Sequence, residues 1–193
     1  MATSNARELA ARKSALRKSV RQLRRTVPRA DRRRAARQAA LHLARVARAC
    51  SARHVAAYLS LPEEIDTTPL IALLRRQRCV LYVPKLAGSG PMRFTRLDAP
   101  LRHNRYGIAE PVAARRPARL DLIVLPVVAF DEDGRRLGMG GGYYDRLLAR
   151  PRPWRRPLRI GLAFAAQQVA AVPANARDAR LDAVVTERGL RRF

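Results

Sequence analysis

The densest concentration of glycine in the chain lies at residues 138–145, Gly-Met-Gly-Gly-Gly-Tyr-Tyr-Asp. It follows an apolar segment at 122–130 and leads into a helical pattern that begins at Tyr143. A strand, a glycine loop and a helix N-terminus in this order favour phosphate binding, because free backbone N–H groups and the positive end of the helix dipole converge there. The spacing matches neither G-x-x-x-x-G-K-[ST] nor G-x-G-x-x-G, since Tyr143 stands at the third glycine position. Alone, the stretch fits a ligand loop and a structural turn equally well.

Two cations near the N-terminus form a second candidate site. Lys13 and Arg17 are four residues apart, so a helix places them on one face. The same helix carries an apolar stripe: Leu9, Leu16, Val20, Leu23 and Val27. Basic side chains beside such a stripe commonly extend from the edge of a core into solvent. They could equally hold an anionic ligand in a cleft, and helical periodicity does not separate the two interpretations.

Two glutamates, Glu63 and Glu64, follow the predicted strand at 54–59. Ligands bind at the carboxyl ends of strands in open α/β sheets, so both are candidate site residues. Either could instead complement the dipole of the next helix, which Asp66 or Thr67 is expected to cap. The chain has two cysteines and three scattered histidines, which predict neither a disulfide framework nor a zinc site.

The elements that must position these residues alternate between helix and strand. Helical patterns cover 4–26, 30–49, a segment after Thr67 and 143–150, and strand patterns cover 54–59, 79–83, 92–97, 122–125, 158–164 and 181–186. Residues 102–117 are expected to be irregular. The pattern predicts an α/β fold: a three-layer single domain over residues 1–193, with a largely parallel sheet flanked by helices and a basic helical N-terminus, residues 1–50, packed on it. The strand at 122–125 is the most apolar and is expected to be central.

The formal net charge of +25 suggests nucleic-acid binding, since a basic surface gains affinity by releasing counterions. However, all the basic residues except Lys13, Lys18 and Lys85 are arginine, they are spread along the chain, and no nucleic-acid-binding motif accompanies them. We therefore expect no specific nucleic-acid partner.

No apolar run approaches the roughly 18 residues that span a bilayer, and the N-terminus lacks a signal peptide's apolar region. We expect a cytoplasmic protein, a monomer with no membrane partner.

Six groups of residues, taken in order, resemble the 5-formyltetrahydrofolate cyclo-ligase family, whose members are also called methenyltetrahydrofolate synthetases. They are 13–17 (Lys-Ser-Ala-Leu-Arg), 58–67 (Tyr-Leu-Ser-Leu-Pro-Glu-Glu-Ile-Asp-Thr), 92–94 (Met-Arg-Phe), 106–111 (Tyr-Gly-Ile-Ala-Glu-Pro), 126–146, and 172–173 with Asp178 and 181–187. The block at 130–146 is the most specific, because its glycine spacing matches neither common phosphate motif.

The resemblance implies an ATP-dependent ring closure of 5-formyltetrahydrofolate, a small-molecule substrate, to 5,10-methenyltetrahydrofolate. ATP is the co-substrate, ADP and phosphate are released, and Mg²⁺ is required. The formyl oxygen is a poor leaving group, so it is phosphorylated before N10 attacks the activated carbon. The alternative is a nucleic-acid-binding protein built on an inactive cyclo-ligase fold.

The resemblance also implies roles for individual residues. ATP is expected to contact Lys13, Ser14, Ala15, Leu16, Arg17, Arg136, Leu137, Gly138, Met139, Gly140, Gly141, Gly142, Tyr143 and Tyr144. The folate is expected to contact Leu59, Glu64, Tyr106, Met139, Gly140, Gly141, Gly142 and Tyr143. The implied catalytic residues are Arg136, Tyr143 and Asp145, and the implied metal ligands are Asp145 and Asp178.

The chain departs from the family pattern at four positions. Members often carry a basic residue in the glycine loop, where this chain has Met139 and Gly141. Ala109 replaces a frequent proline, and Tyr106 stands where Trp or Phe is common. None of these changes removes a group that the implied chemistry requires.

Overall fold

The structure, a computed structural model, describes residues 2–86, 92–98, 100–103, 107, 109–112, 117, 119–149, 157–176 and 178–193. Its α-helices are α1 (Ala2–Thr26), α2 (Arg29–Ala49), α3 (Thr68–Arg76) and α4 (Tyr143–Leu148), and a short 3-10 helix covers Ala165–Gln167. Pro28 separates α1 from α2, because a proline has no backbone N–H with which to continue the first helix. Among the described residues, no helix is long and apolar enough to cross a membrane.

The described residues also form eleven strands. They are β1 (His54–Ala56), β2 (Val80–Lys85), β3 (Arg93–Arg96), β4 (Leu101–His103), β5 (Ala109–Pro111), β6 (Leu122–Pro126), β7 (Ala129–Phe130), β8 (Arg136–Leu137), β9 (Leu158–Leu162), β10 (Ala183–Thr186) and β11 (Gly189–Arg192). Seven of them form one sheet in the order β11-β10-β9-β6-β1-β2-β3. Neighbours from β10 to β2 pair in parallel, whereas β3 and β11 are antiparallel strands at the two edges. The predicted α/β fold with a largely parallel sheet is confirmed.

Strand β6 lies in the middle of the sheet, as its apolar sequence predicts. Successive side chains of a strand point to opposite faces, so Leu122 and Val124 pack on one side and Ile123 and Leu125 on the other. The first side is covered by α2 and α3, and the second includes Leu148 of α4. All four of these β6 side chains are fully or almost fully buried. Because β6 is fixed on both faces, the loops at its carboxyl end have a rigid support.

Several small elements differ from the prediction. The expected irregular region at 102–117 contains a two-stranded antiparallel ribbon, β4–β5, although residues 104–106, 108 and 113–116 lie outside the described part. A second ribbon, β7–β8, and the edge strand β11 were not predicted. These elements are two to four residues long, which is too short for an alternating pattern to be recognised.

Helix α1 buries most of its predicted apolar stripe, since Val20 is buried and Leu9, Leu16 and Val27 are partly buried, but it departs from that stripe at one position. The predicted stripe includes Leu23, yet Leu23 is 44% exposed and the next residue, Arg24, is 2% exposed. The buried side runs through Lys13, Arg17, Val20 and Arg24, which lie four, three and four residues apart and so share one helix face. The prediction was wrong at this position, because contacts with the loop after β1 decide which face is covered.

Candidate active site

A cavity of about 660 Å³ opens where α1, the carboxyl ends of the parallel strands and the glycine loop meet. Its volume is within the range of small-molecule sites. The predicted residues on its wall are Lys13, Arg17, Leu59, Glu64, Arg136, Leu137, Gly138, Met139, Gly140, Gly141, Gly142, Tyr143, Tyr144, Asp145 and Asp178. The fold therefore brings the N-terminal cations, the glutamate after β1 and the glycine loop to one place.

The glycine loop contacts α1 directly. The Nε of Arg17 donates a hydrogen bond of 2.8 Å to the carbonyl oxygen of Gly138. Gly140 and Gly142 have φ angles of +108° and +62°, which side chains other than glycine rarely adopt. A Cβ atom on Gly140 would lie 3.4 Å from the guanidinium carbon of Arg17. The positive φ angles of the loop therefore favour glycine at both positions, and a Cβ on Gly140 would be in ordinary van der Waals contact with Arg17.

Two acidic side chains of the cavity are each held by a cation. Lys13 Nζ lies 2.6 Å from Asp178 Oδ2, and Arg136 Nη2 lies 2.6 Å from Asp145 Oδ1. The Asp145 Oδ1 atom also accepts a bond from the backbone N–H of Ala179, the residue after Asp178. The Asp145 side chain in α4 is thus connected to the segment that carries Asp178 through the backbone N–H of Ala179.

The side chain of Arg136 is almost entirely buried, and its Nε has no hydrogen-bond acceptor within the described part of the chain. Its guanidinium carbon lies 5.9 Å from the centroid of the Tyr144 ring, which places a cation over an aromatic face. Arg136 also lines the cavity, so its positive charge would stabilise an anionic ligand bound there. Arg136 is therefore suited to contact an anion.

The carboxylates of Asp145 and Asp178 are the candidate ligands for Mg²⁺ in the cavity. Within the described residues no group of three or more His, Cys, Asp or Glu side chains could hold a metal ion. The cavity instead offers the two carboxylates of Asp145 and Asp178. Mg²⁺ bound with a nucleotide typically takes one or two protein carboxylates and completes its shell with phosphate oxygens and water. The two aspartates fit that manner of binding.

Glu64 brings a partly buried carboxyl group to the cavity. Burial raises the pKa of Glu64, while the backbone N–H of Leu61, 2.9 Å from Oε2, and the positive charge of Arg24 act in the opposite direction. Burial likewise raises the pKa of the two neighbouring phenols, Tyr58 and Tyr144. These groups give the wall a set of hydrogen-bonding atoms in an otherwise apolar region.

Glu63, the other candidate after β1, pairs with arginines of α1 instead of lining the cavity. Its carboxylate lies 3.0 Å from Arg21 Nε and 2.7 Å from Arg25 Nη2, and it is not part of the cavity wall. Hydrogen bonds from Arg25 and Arg21 lower the pKa of Glu63 to about 2. Glu63 therefore ties α1 to the loop, and Glu64 alone of the pair faces the cavity.

Three of the residues expected at the nucleotide do not line the cavity. Ser14 and Ala15 are exposed on α1. Leu16 is partly buried against a small core cluster that includes Val20 and Leu137. Tyr106, expected at the folate, lies outside the described residues.

The cavity also has wall residues that the sequence reasoning missed: Tyr58, Leu61, Pro84, Leu86, Met92, Glu110, Pro126, Val127 and Val128. Most of them lie at or just beyond the carboxyl ends of β1, β2 and β6. The rule that ligands bind at this end of an open α/β sheet could have found them once the strand ends were known. Glu110 on β5 could not have been found in that way, because its strand is part of the unpredicted ribbon.

Known proteins resemble the chain in both sequence and structure. A family model described as the 5-formyltetrahydrofolate cyclo-ligase family matches residues 9–187. The 5-formyltetrahydrofolate cyclo-ligase of Escherichia coli K12 is 40% identical over 143 residues, covering 70% of this chain and 78% of the relative. The mouse 5-formyltetrahydrofolate cyclo-ligase is 30% identical over 151 residues, covering 71% of this chain and 74% of the relative.

Two solved structures share the fold. The NMR structure of Aquifex aeolicus 5,10-methenyltetrahydrofolate synthetase superimposes with a TM-score of 0.80 at 35% identity, covering 93% of this chain and 92% of that one. The Mycoplasma pneumoniae 5,10-methenyltetrahydrofolate synthetase gives a TM-score of 0.71 at 22% identity, covering 91% of this chain and 98% of that one, and supports the fold alone. The match of the family model over most of the chain, together with these relatives, shows that the chain belongs to the 5-formyltetrahydrofolate cyclo-ligase family.

Proposed function

We propose that this enzyme converts 5-formyltetrahydrofolate to 5,10-methenyltetrahydrofolate with ATP and Mg²⁺. Membership of the cyclo-ligase family supports the folate conversion. The observation that carries the ATP-dependent form of the reaction is the composition of the cavity wall. Lys13, Arg17 and the buried Arg136 meet the glycine loop there, beside the carboxylates of Asp145 and Asp178. This combination of cations, a glycine-rich backbone and hard oxygen ligands suits a nucleoside triphosphate.

In the proposed reaction, the formyl oxygen attacks the γ-phosphorus of ATP, the bond to the β-phosphate oxygen breaks, and ADP leaves. N10 then attacks the activated formyl carbon, the carbon–oxygen bond breaks with release of phosphate, and N10 loses its proton. The oxygen of the formyl group therefore leaves as part of the phosphate. The enzyme mainly holds the two substrates in line and neutralises charge on the transferred group.

On the nucleotide side, Lys13 and Arg17 supply positive charge from one face of α1, and Arg136 of β8 adds a third cation to the same cavity. The backbone of 138–144 encloses the phosphates. Mg²⁺ supplies charge neutralisation for the phosphates when it is bound, and Asp145 and Asp178 are the residues that would hold it. The hydrogen bond from Arg17 to Gly138 fixes the loop against α1 before the nucleotide arrives.

On the folate side, Glu64 accepts hydrogen bonds from the N–H groups of the pterin ring, and Leu59 packs beside it. Tyr106 is proposed to stack on the folate. The glycine loop lies between the two substrates, so that Met139 and Tyr143 contact both.

We also infer that residues 1–193 form a single domain, because side chains of α2 belong to the same core as those of the central strands.

The test is an absorbance assay for the methenyl product. Purified protein with 5-formyltetrahydrofolate, Mg²⁺ and ATP is expected to form the methenyl chromophore, and omission of ATP is expected to abolish it. Release of one ADP per product molecule, measured in a coupled assay, would establish the stoichiometry. If the protein is folded and no ATP-dependent chromophore forms, the proposed function is wrong.

A further inference from the structure

Gln167 is a buried polar residue that the proposed chemistry does not use. It ends the short 3-10 helix and is 1% exposed. Its Nε2 atom donates hydrogen bonds to the carbonyl oxygens of Val127, at 2.6 Å, and Val128, at 2.9 Å. Its Oε1 atom accepts a bond of 2.8 Å from the backbone N–H of Phe164. Both N–H groups and the oxygen of the amide are therefore paired.

Two of these bonds do more than close a local turn. The bonds that Gln167 donates reach residues 39 and 40 positions away. Val127 and Val128 come directly after β6, whose last residue, Pro126, pairs with the last residue of β9, Leu162. The ladder between these two strands thus stops just before Val127. Buried backbone carbonyl groups need a partner, and the Gln167 amide supplies one where the neighbouring strand has ended.

The carbonyl groups that Gln167 holds belong to the wall of the cavity. Val127 and Val128 both line it. The backbone N–H of Val128 donates a bond of 2.8 Å to the carbonyl oxygen of Leu137 on β8. Leu137 directly follows Arg136, one of the three cations on the cavity wall. A chain of hydrogen bonds therefore runs from the Gln167 amide through Val128 to the strand that carries Arg136.

Helix α1 rests on the same segment. Val20 of α1 packs in one apolar cluster with Val128 and Leu137. Lys13 and Arg17, on the same helix, supply the other two cations of the cavity wall. The position of Val128 therefore affects both elements that bring positive charge to the cavity.

We propose that Gln167 is a positioning residue for the nucleotide: by holding the carbonyl oxygens of Val127 and Val128, its buried amide fixes the segment on which β8 and α1 place their cations. This inference rests on the proposed function for the identity of the nucleotide as ATP. Without the amide, the two carbonyl groups would need another donor, and water in the cavity that both residues line could supply it. A turn of the segment toward that water would move the cations away from the phosphates.

The first experiment measures hydrogen exchange of backbone amides in the free protein by NMR. Gln167→Met keeps the length of the side chain and removes its hydrogen bonds. It is expected to speed exchange of the Val128 amide about tenfold more than exchange of the Ala57 amide, because the lost bonds are local to Val128. The Ala57 amide donates to Tyr82 on β2, outside this segment, and so reports on the stability of the rest of the sheet.

The matched control is Asp121→Ala. The Oδ2 atom of Asp121 accepts bonds from the backbone N–H groups of Arg53 and His54, at the opposite end of the sheet from the cavity. Loss of these bonds is expected to lower stability and to leave the exchange of Val128 relative to Ala57 unchanged.

The second experiment measures equilibrium binding of ATP and of 5-formyltetrahydrofolate at a temperature at which both variants are folded. Gln167→Met is expected to weaken ATP binding about tenfold, because small displacements of the groups that contact a ligand have large effects. Folate affinity is expected to change less, since Leu59 and Glu64, its proposed contacts, lie on the loop after β1. Asp121→Ala is expected to change neither affinity. If Gln167→Met does not fold, Gln167→Asn, which keeps the amide on a shorter side chain, is expected to give the same pattern with smaller effects.

Wild-type exchange of Val128 relative to Ala57 in a folded Gln167 variant would overturn the proposal. A lower Tm with unchanged ATP affinity would overturn it as well, because that is the result of a role in stability alone. Equal weakening of ATP and folate binding would rule out a role specific to the nucleotide. Failure of the proposed function looks different: the wild-type protein would form no methenyl product, while the exchange of Val128 would still give its answer.

Discussion

At the scale of single residues, the candidate site depends on two ion pairs, one between distant parts of the chain and one within a short segment. Lys13 and Asp178 are 165 positions apart, and Arg136 and Asp145 are nine apart. In the free protein each acidic side chain neutralises a cation that the proposed mechanism assigns to phosphate. Binding of ATP would therefore exchange one set of partners for another, and the cations would remain paired throughout.

Lys13 is the residue at which this exchange is most directly tested. Lys13→Ala is expected to raise the KM for ATP about ten- to hundredfold, because a charge-assisted hydrogen bond to phosphate is worth about 1.5–3 kcal/mol. The KM for 5-formyltetrahydrofolate is expected to change little, and both values come from steady-state kinetics with the other substrate saturating. Lys18→Ala is the matched control, since Lys18 is exposed on the same helix. Wild-type ATP kinetics in Lys13→Ala would remove Lys13 from the nucleotide site.

The sequence predicts which residues belong to the site better than it predicts which side chains they pair with. The glycine loop and the spacing of Lys13 and Arg17 are local patterns, so they are visible along the chain. The pairing of Lys13 with Asp178 is a product of tertiary packing, and no local pattern encodes it. For the same reason the residue pattern alone leaves Glu63 and Glu64 equivalent, and only the family resemblance singles out Glu64; the fold turns Glu63 toward α1 and Glu64 toward the cavity.

At the scale of secondary structure elements, α1 is fixed to the loop after β1 by charge. Arg21 and Arg25 hold the Glu63 carboxylate from the helix, and Arg32 of α2 donates to the carbonyl of Pro62 in the same loop. The position of α1 sets where Lys13 and Arg17 meet the glycine loop. These contacts outside the cavity therefore help to shape it.

The lowered pKa of Glu63 predicts a pH-dependent contribution to stability. The pKa falls from 4.5 to about 2 on folding, so the unfolded chain binds this proton more readily than the folded one. The contribution is therefore fully present above about pH 4.5 and is lost as the pH falls toward 2. Glu63→Gln is expected to lower Tm at neutral pH, and the difference in Tm from wild type is expected to shrink as the pH falls through this range.

Thermal unfolding from neutral to acidic pH measures that difference. Glu132→Gln is the control, because Glu132 pairs with Arg191 on the exposed surface, away from α1, and exposed pairs contribute little. A Tm difference for Glu63→Gln that stays constant from pH 7 to pH 2 would contradict the assigned role of its charge.

Elements differ in how well the sequence predicts them. Strand β6 was placed correctly in the centre of the sheet, because a strand buried on both faces is apolar throughout. The buried face of α1 was predicted less well. Leu23 fits the apolar stripe but is exposed, whereas Arg24 does not fit it but is buried. Arg24 is buried by its contact with the loop at 58–64, and helical periodicity contains no information about that loop.

At the scale of the whole molecule, the net charge of +25 attracts anionic molecules of any kind. ATP and folates are both anions, so the field of the protein is expected to speed their encounter with it. Raising the salt concentration from about 0.05 to 0.5 M is expected to lower kcat/KM for both substrates several-fold, since the Debye length shortens to a few ångströms. The kcat at saturation is expected to change much less.

Stopped-flow or steady-state measurements over this salt range test the effect. A mixed-sequence RNA serves as comparison: its binding is expected to be independent of sequence and to weaken steeply with salt. Tight RNA binding that persists at high salt and depends on sequence would instead support the alternative of a nucleic-acid-binding protein. A kcat/KM independent of salt would show that the surface charge does not guide the substrates.

The two edges of the main sheet show a further effect of the abundant arginine. Strand β3 exposes Arg93 and Arg96, and strand β11 exposes Arg191 and Arg192. An exposed edge strand has unpaired backbone groups that can add a strand from another molecule and begin aggregation. Arg96 and Arg191 are paired with Asp98 and Glu132, but each edge still carries more guanidinium groups than these carboxylates, so any such approach would bring like charges of two copies together. The edges are thus protected by repulsion, and a concentrated solution of the protein is expected to resist fibril formation.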